Sequence, residues 1–225
     1  MRATREPVRG GSTLIVVFAK APQAGRVKTR LAARIGDEAA ARVHAGLVRR
    51  TLGTAIEAGC GKVELHGSPP NHAALRALAR RHGVSLQGQS GGDIGRRMAR
   101  AFGDGLRTHG RMILVGSDCP ALAPADLRRA ARLLCGCDAV IAPAEDGGYP
   151  LIGLSRPAPG IFEGVAWSTP SVIGQTRARL AALGLRWREL RTLWDVDRPE
   201  DLARLRASNL PRRRLRVGDI SSGPL

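Results

Sequence analysis

Leu14-Ile15-Val16-Val17-Phe18-Ala19-Lys20-Ala21-Pro22-Gln23-Ala24-Gly25-Arg26-Val27-Lys28-Thr29-Arg30-Leu31 reads as a strand, a glycine-containing loop and the opening of a helix. The apolar run Leu14 to Phe18 is short, rich in β-branched residues and free of alternation, the mark of a strand buried on both faces. A loop between such a strand and a helix turns backbone N–H groups outward, where an anion can be received. Lys20, Lys28 and Arg30 add cations suited to phosphate oxygens. The spacing is neither that of a Walker A loop nor Gly-x-Gly-x-x-Gly. A basic surface loop is the plainer reading of the same residues.

The pattern of the first stretch repeats along the chain. Apolar strands are expected at Val63–His66, Val84–Leu86, Met112–Gly116, Ala139–Ala142 and Leu151–Leu154, with Trp187–Trp194 extended. Helices are expected from the first loop to about Gly59, then over Asn71–His82, Asp93–Leu106, Pro124–Leu134, Thr169–Leu183 and Pro199–Leu205. Strands alternating with amphipathic helices imply an α/β fold with a mostly parallel sheet. Residues 1–12 read as a flexible leader, 13–208 as one domain and 209–225 as a basic tail.

Composition narrows the function. With 43% hydrophobic and 24% charged residues in 225, the chain is neither disordered nor fibrous. Its longest apolar run, Leu14 to Ala19, is too short for a membrane span or a secretory signal, so no membrane span is expected. Cys60, Cys119, Cys135 and Cys137 form no C-x-x-C pair, which suits a reduced, cytoplasmic protein. The net charge of +17 suggests nucleic acid, but the charge is spread along the chain, the seven aromatic residues are scattered, and no recognition motif accompanies them. That distribution argues against a nucleic-acid partner. Of 36 basic residues only Lys20, Lys28 and Lys62 are lysines, and two of the three fall in the first loop. An ammonium is compact and rotatable where a guanidinium is a planar fork, so the imbalance hints at a need for ammonium there.

In open α/β sheets ligands bind beyond the carboxyl ends of the strands. After Val115 comes Gly116-Ser117-Asp118-Cys119-Pro120, where Asp118 can ligate a Mg²⁺ that bridges phosphates or can cap the next helix. After Ala142 comes Glu145-Asp146-Gly147-Gly148-Tyr149, where Asp146 can bind an acceptor or merely close a turn. After Trp194 come Asp195 and Asp197, a possible second carboxylate for the ion or a helix cap. Asp93, in Gly91-Gly92-Asp93-Ile94-Gly95, has the same two readings. The five histidines are dispersed and none neighbours these stretches in sequence, so a histidine-based nucleophile system is not expected.

These motifs, together with Phe18-Ala19-Lys20-Ala21-Pro22, Gly25 to Leu31 and Trp167-Ser168-Thr169, occur in an order that resembles the radical-SAM/selenodomain-associated, arsenosugar-biosynthesis-type glycosyltransferase-like family. The resemblance covers residues 13–206. It implies a glycosyltransferase-A-like (nucleotide-diphospho-sugar transferase) three-layer sandwich and a Mg²⁺ or Mn²⁺ cofactor. It further implies nucleotide contacts at Ala19, Lys20, Gly25, Asp93 and Ser117, with Lys28 and Arg30 on the phosphates. Asp118 and Asp197 match the metal ligands, Asp146 is assigned to orient the acceptor, and Gly147, Gly148 and Tyr149 border it. Arg96 and Pro150 depart from the family pattern on the acceptor side.

The expected function is a metal-dependent transferase that uses a nucleotide-activated donor. Its leading form is glycosyl transfer from a nucleotide-diphospho-sugar to a small-molecule acceptor. Nucleotidyl transfer from a nucleoside triphosphate, with release of pyrophosphate, is the alternative. A non-catalytic basic RNA-binding module is the rival from another class. Oligomeric state is left open.

Overall fold

The structure is a computed structural model that describes residues 11–208; the rest of the leader and the basic tail lie outside the described residues. Its strands are β1 (Thr13–Lys20), β2 (Lys62–Ser68), β3 (Ser85–Gly88), β4 (Arg111–Gly116), β5 (Ala139–Ala142), β6 (Leu151–Leu154) and β7 (Trp187–Glu189). They form one seven-stranded sheet in the order β3-β2-β1-β4-β6-β5-β7. Only β6 runs against its neighbours β4 and β5; every other pairing is parallel. The carboxyl ends of β1, β4, β5 and β7 therefore open on the same side of the molecule.

The central strands form because both of their faces are buried. Ile15, Val17, Ile113 and Val115 pack beneath α2 (Asp37–Ala58), α3 (Ala73–His82) and α5 (Pro124–Leu133). Leu14, Val16, Phe18, Met112 and Leu114 pack on the other face, against α4 (Ile94–Gly105), a 3₁₀ turn (Pro159–Phe162) and α6 (Val172–Ala182). The result is a helix–sheet–helix sandwich. Removing a fully buried side chain such as Ile113 from this core would cost roughly 2–5 kcal/mol in the Ile→Ala sense.

The structure redraws some expected boundaries. The long first helical region is two helices, α1 (Thr29–Ile35) and α2, broken at Gly36, whose φ of 81° ends one and starts the other. The expected helix at Thr169 begins at Val172. The expected extension to Trp194 is paired as a strand only over Trp187–Glu189, although Leu190 and Leu193 still donate to Ile141 and Pro143 of the β5 side. A final helix, α7 (Pro199–Ala207), packs Leu202 and Leu205 on Leu31, Val43 and Leu47 through Val196. That small cluster fastens the segment carrying Asp195 and Asp197 to the first two helices.

Candidate active site

Lys28 sits at the junction of the first loop and α1, with φ 50° and ψ 43°. This left-handed backbone costs a residue with a Cβ roughly 1–2 kcal/mol, and only three non-glycine residues among those described adopt a positive φ. The conformation delivers the side chain inward. Lys28 is 5% exposed, and its Nζ lies 2.7 Å from Asp118 Oδ1. Asp118 follows β4, so this ion pair joins the carboxyl ends of two adjacent central strands.

The same oxygen has a second neighbour. His44, on α2 and 4% exposed, has Nδ1 3.5 Å from Asp118 Oδ1 and Nε2 3.0 Å from the Lys20 carbonyl. His44 was not among the residues expected in the site. Its signal in the sequence was a lone polar ring on the apolar stripe of a helix, between Val43 and Leu47, which reads equally as a packed core residue. Burial alone would raise the Asp118 pKa, but Lys28 and His44 overcome it and hold the carboxyl well below the usual range. Oδ1 is sealed, yet 47% of the Asp118 side chain remains exposed.

Asp195 completes the cluster. The Val196 N–H donates to the Asp118 carbonyl at 2.9 Å, which lays the 195–197 segment beside Asp118. Arg191 anchors the approach by a two-bond pairing with Asp126 at 3.0 and 2.8 Å and by donating to the Ala121 carbonyl. Asp195 Oδ1 is buried without a hydrogen-bond partner. Burial, then the charges of Asp118 and Asp146, push its pKa up to about 7, opposed by Lys28. Cys119, packed against Asp195 and buried, has its thiol pushed far up, which suits packing and not nucleophilic attack.

Asp197 has a different surrounding: its carboxylate takes an ion pair from Arg30 at 2.8 Å. Neither Asp118 nor Asp197 is a helix cap. Asp126 accepts from Ala123 N–H at the start of α5, and Asp201 accepts from Asp197 and Arg198 N–H at the start of α7. Asp93 does cap α4, accepting from Arg96 N–H at 2.8 Å.

The remaining residues fall around this centre. Ala19 is buried and its carbonyl accepts from Gln89 Nε2 at 3.3 Å, while the Lys20 side chain is exposed. Gly25 turns the loop with φ 72°. Ser117 is buried beside Asp118. A groove of about 250 Å³, lined by Phe18, Glu64, His66, Gln87, Gln89 and Arg97 among others, lies along β2 beside α4. Asp146 is exposed, and its Oδ1 accepts from Gly148 N–H at 2.9 Å. Gly147, φ 86°, approaches so closely that a Cβ there would stand 2.1 Å from the Pro170 carbonyl. The Tyr149 ring meets Trp167 edge-on, and its hydroxyl is buried near Thr176.

Among the described residues no three His, Cys, Asp or Glu side chains are gathered closely enough to hold a metal by themselves. Mg²⁺ does not require that. It typically takes one or two carboxylates and completes its shell with water and substrate phosphates. The half-open Asp118 and the partnerless, charge-crowded Asp195 oxygen fit such a role.

Residues 51–169 match the family DUF2064, described as "uncharacterized protein conserved in bacteria". The chain belongs to this family. No curated protein sequence matches it. A crystal structure from Desulfovibrio desulfuricans G20, provisionally described as a nucleotide-diphospho-sugar transferase, is 28% identical, with a TM-score of 0.81 over 89% of this chain and 90% of that one. A nucleotidyl transferase from Methanothermobacter is 16% identical, with a TM-score of 0.60 over 88% and 97%. The manganese complex of Rv0371c from Mycobacterium tuberculosis H37Rv is 22% identical, with a TM-score of 0.53 over 86% and 97%. The fold is that of the nucleotide-diphospho-sugar transferases, and these likenesses support a transferase. No helix among the described residues is long and apolar enough to cross a membrane.

Proposed function

We propose that this protein is a metal-dependent transferase acting on a nucleotide-activated donor, with glycosyl transfer from a nucleotide-diphospho-sugar to a small acceptor as its leading form. One observation carries the reading: the cluster of enclosed Lys28 and His44 with half-open Asp118 and neighbouring Asp195 at the carboxyl ends of the central strands. Buried charge is costly, and a site that gathers two carboxylates and an ammonium without mutual saturation is a functional candidate. The likeness to the Desulfovibrio protein adds support.

In this reading Asp118 holds Mg²⁺ or Mn²⁺ together with Asp195, whose buried Oδ1 has no hydrogen-bond partner, while the expected Asp197 stands nearby, paired with Arg30. The manganese in the mycobacterial structure supports the choice of ion. When bound, the ion supplies Lewis-acid stabilisation of charge on phosphate oxygens. Lys28 and Arg30 bind the donor's phosphates and stabilise charge that builds on them during transfer. Ala19, Lys20, Gly25 and Ser117 border the phosphates, the nucleoside lies towards Gln89 and the groove along β2, and Asp93 shapes that end by fixing α4. Gly147, Gly148 and Tyr149 shape the acceptor side, with Asp146 at its mouth. The finer resemblance to arsenosugar-type enzymes belongs to this reading and rests on the motifs alone.

A second reading, nucleotidyl transfer from a nucleoside triphosphate, is favoured by the buried ammonium, since pyrophosphate departure builds negative charge where Lys28 stands. Pyrophosphate release over a panel of nucleoside triphosphates, run beside donor turnover over a panel of nucleotide sugars, separates the two. Metal-dependent turnover of nucleotide sugars supports the first; activity on neither class refutes both.

A further inference from the structure

We infer that Lys28 holds the cation's place in the nucleotide-free enzyme, so that a divalent ion joins Asp118 only when a phosphorylated nucleotide draws the ammonium away. This deepens the function proposed above and rests on it.

The ammonium and the ion compete for one carboxylate. Lys28 Nζ is already at contact distance from Asp118 Oδ1, the side chain is almost wholly enclosed, and the left-handed backbone at residue 28 aims it there. A divalent ion arriving alone meets a fixed positive charge beside its ligand. A phosphate changes this. It offers Lys28 a new anion within reach of its flexible stem and offers the ion further oxygens. The Lys20 carbonyl, held by His44, and the start of α1 at Lys28, whose carbonyl accepts from Ala32 N–H at 2.8 Å, keep the loop backbone in place while the side chain moves. An arginine would serve worse, since its fork grips a carboxylate at two points and its longer stem overfills the space. In a chain with three lysines among 36 basic residues, a lysine at this position fits a group that must let go.

By reciprocity, nucleotide and metal must tighten one another by the same factor. The test titrates Mn²⁺ into the full chain, followed by electron paramagnetic resonance of the free ion. Titrations are made alone and with each common ribonucleoside di- and triphosphate, for the wild type, Lys28→Met and Lys28→Gln. The wild type should bind Mn²⁺ at least tenfold more tightly with its nucleotide than alone. Either variant should bind Mn²⁺ alone at least tenfold more tightly than the wild type, and Mn²⁺ alone should raise its Tm by more than it raises the wild type's. Asp118→Asn should abolish these gains. Equal or weaker binding of Mn²⁺ alone by a folded variant overturns the inference, as does wild-type protein that binds Mn²⁺ equally well with and without nucleotide, a measurement that needs no variant. A wild type that binds no nucleotide under any metal condition overturns the proposed function instead.

Discussion

Lys28 and His44 are enclosed side chains that face the half-open Asp118, with Asp195 beside it, whereas Asp146, on the proposed acceptor side, is exposed and its carboxylate closes its own turn. The first region joins four separate stretches of chain. The second is one loop shaped by close backbone approach at Gly147 and by the Tyr149 and Trp167 rings. The difference teaches what each half is prepared for. Preset charge suits a phosphate, whose charge is the same in every donor. On the proposed function, a loop of glycines and ring faces would select an acceptor by shape and leave its chemistry to the acceptor. Substitutions in the first region should therefore strike turnover and metal-dependent nucleotide binding. Those in the second should strike acceptor KM and stability.

The largest effect is expected from Asp118→Asn. It keeps the shape but removes the charge that pairs Lys28 and that would face the ion, so turnover should fall by roughly 10³-fold while circular dichroism stays native. Wild-type nucleotide affinity at saturating Mn²⁺ in this variant would break the contrast. Next comes Lys28→Arg. Charge is retained, but the fork cannot repeat a one-point, buried contact at 2.7 Å, and a loss of about 10²-fold in kcat/KM is expected. Full activity would mean that any cation suffices there.

How much of this was open to sequence reading follows from what each signal depends on. The central strands were legible because burial on both faces leaves a run such as Leu14 to Phe18 that nothing else explains. The loop lysines and Asp118 stood out as polar residues at strand ends. His44 did not, because its role depends on α2 crossing beneath the first loop, a tertiary fact that a lone ring on an apolar stripe cannot announce. Asp195 and Asp197 were not separated by residue type or spacing, being both acidic and two residues apart; only the family resemblance chose Asp197. What separates them is Arg30 on one and the charges of Asp118 and Asp146 on the other. The break at Gly36 and the antiparallel β6 were likewise invisible to a pattern that records burial but not direction.

On the proposed acceptor side, Gly147→Ala places a methyl 2.1 Å from the Pro170 carbonyl at a φ that L residues avoid. We expect a loss of about 2–3 kcal/mol, or roughly 5–10 °C in Tm, with acceptor KM raised and metal-dependent nucleotide affinity unchanged. Loss of nucleotide affinity in a folded variant would merge the two halves into one unit.

Asp195→Asn tests the first half through stability. The unfolded chain titrates this carboxyl near its ordinary 3.8, while the folded chain holds its proton to about pH 7. Between those values the native state binds more protons, so stability is lost as pH rises through the window and is level above it. Asparagine removes that loss. In metal-free buffer the variant should match the wild type near pH 4 and exceed it by about 2 kcal/mol above pH 7, the full shift being discounted for local relaxation. A gain that is the same at every pH would show that the carboxyl is not charge-crowded. Asp118 has the opposite sign: its depressed pKa contributes stability above the usual carboxylate range, and that contribution is lost on acidification.

The smallest effect, and the sharpest test of the contrast, is Tyr149→Phe. The Tyr149 hydroxyl is buried near Thr176 without a well-formed hydrogen bond, and burial pushes its pKa up. Removing an unpaired buried hydroxyl costs little, because no partner is stranded and desolvation is relieved. The ring keeps its edge-on contact with Trp167, which is where the packing energy lies. If this half works by shape, Tm should change by less than about 1 kcal/mol equivalent and acceptor KM by less than about threefold. A loss of acceptor affinity of about tenfold or more would reveal a polar contact to the acceptor, and this half would then share the charge-based logic of the other.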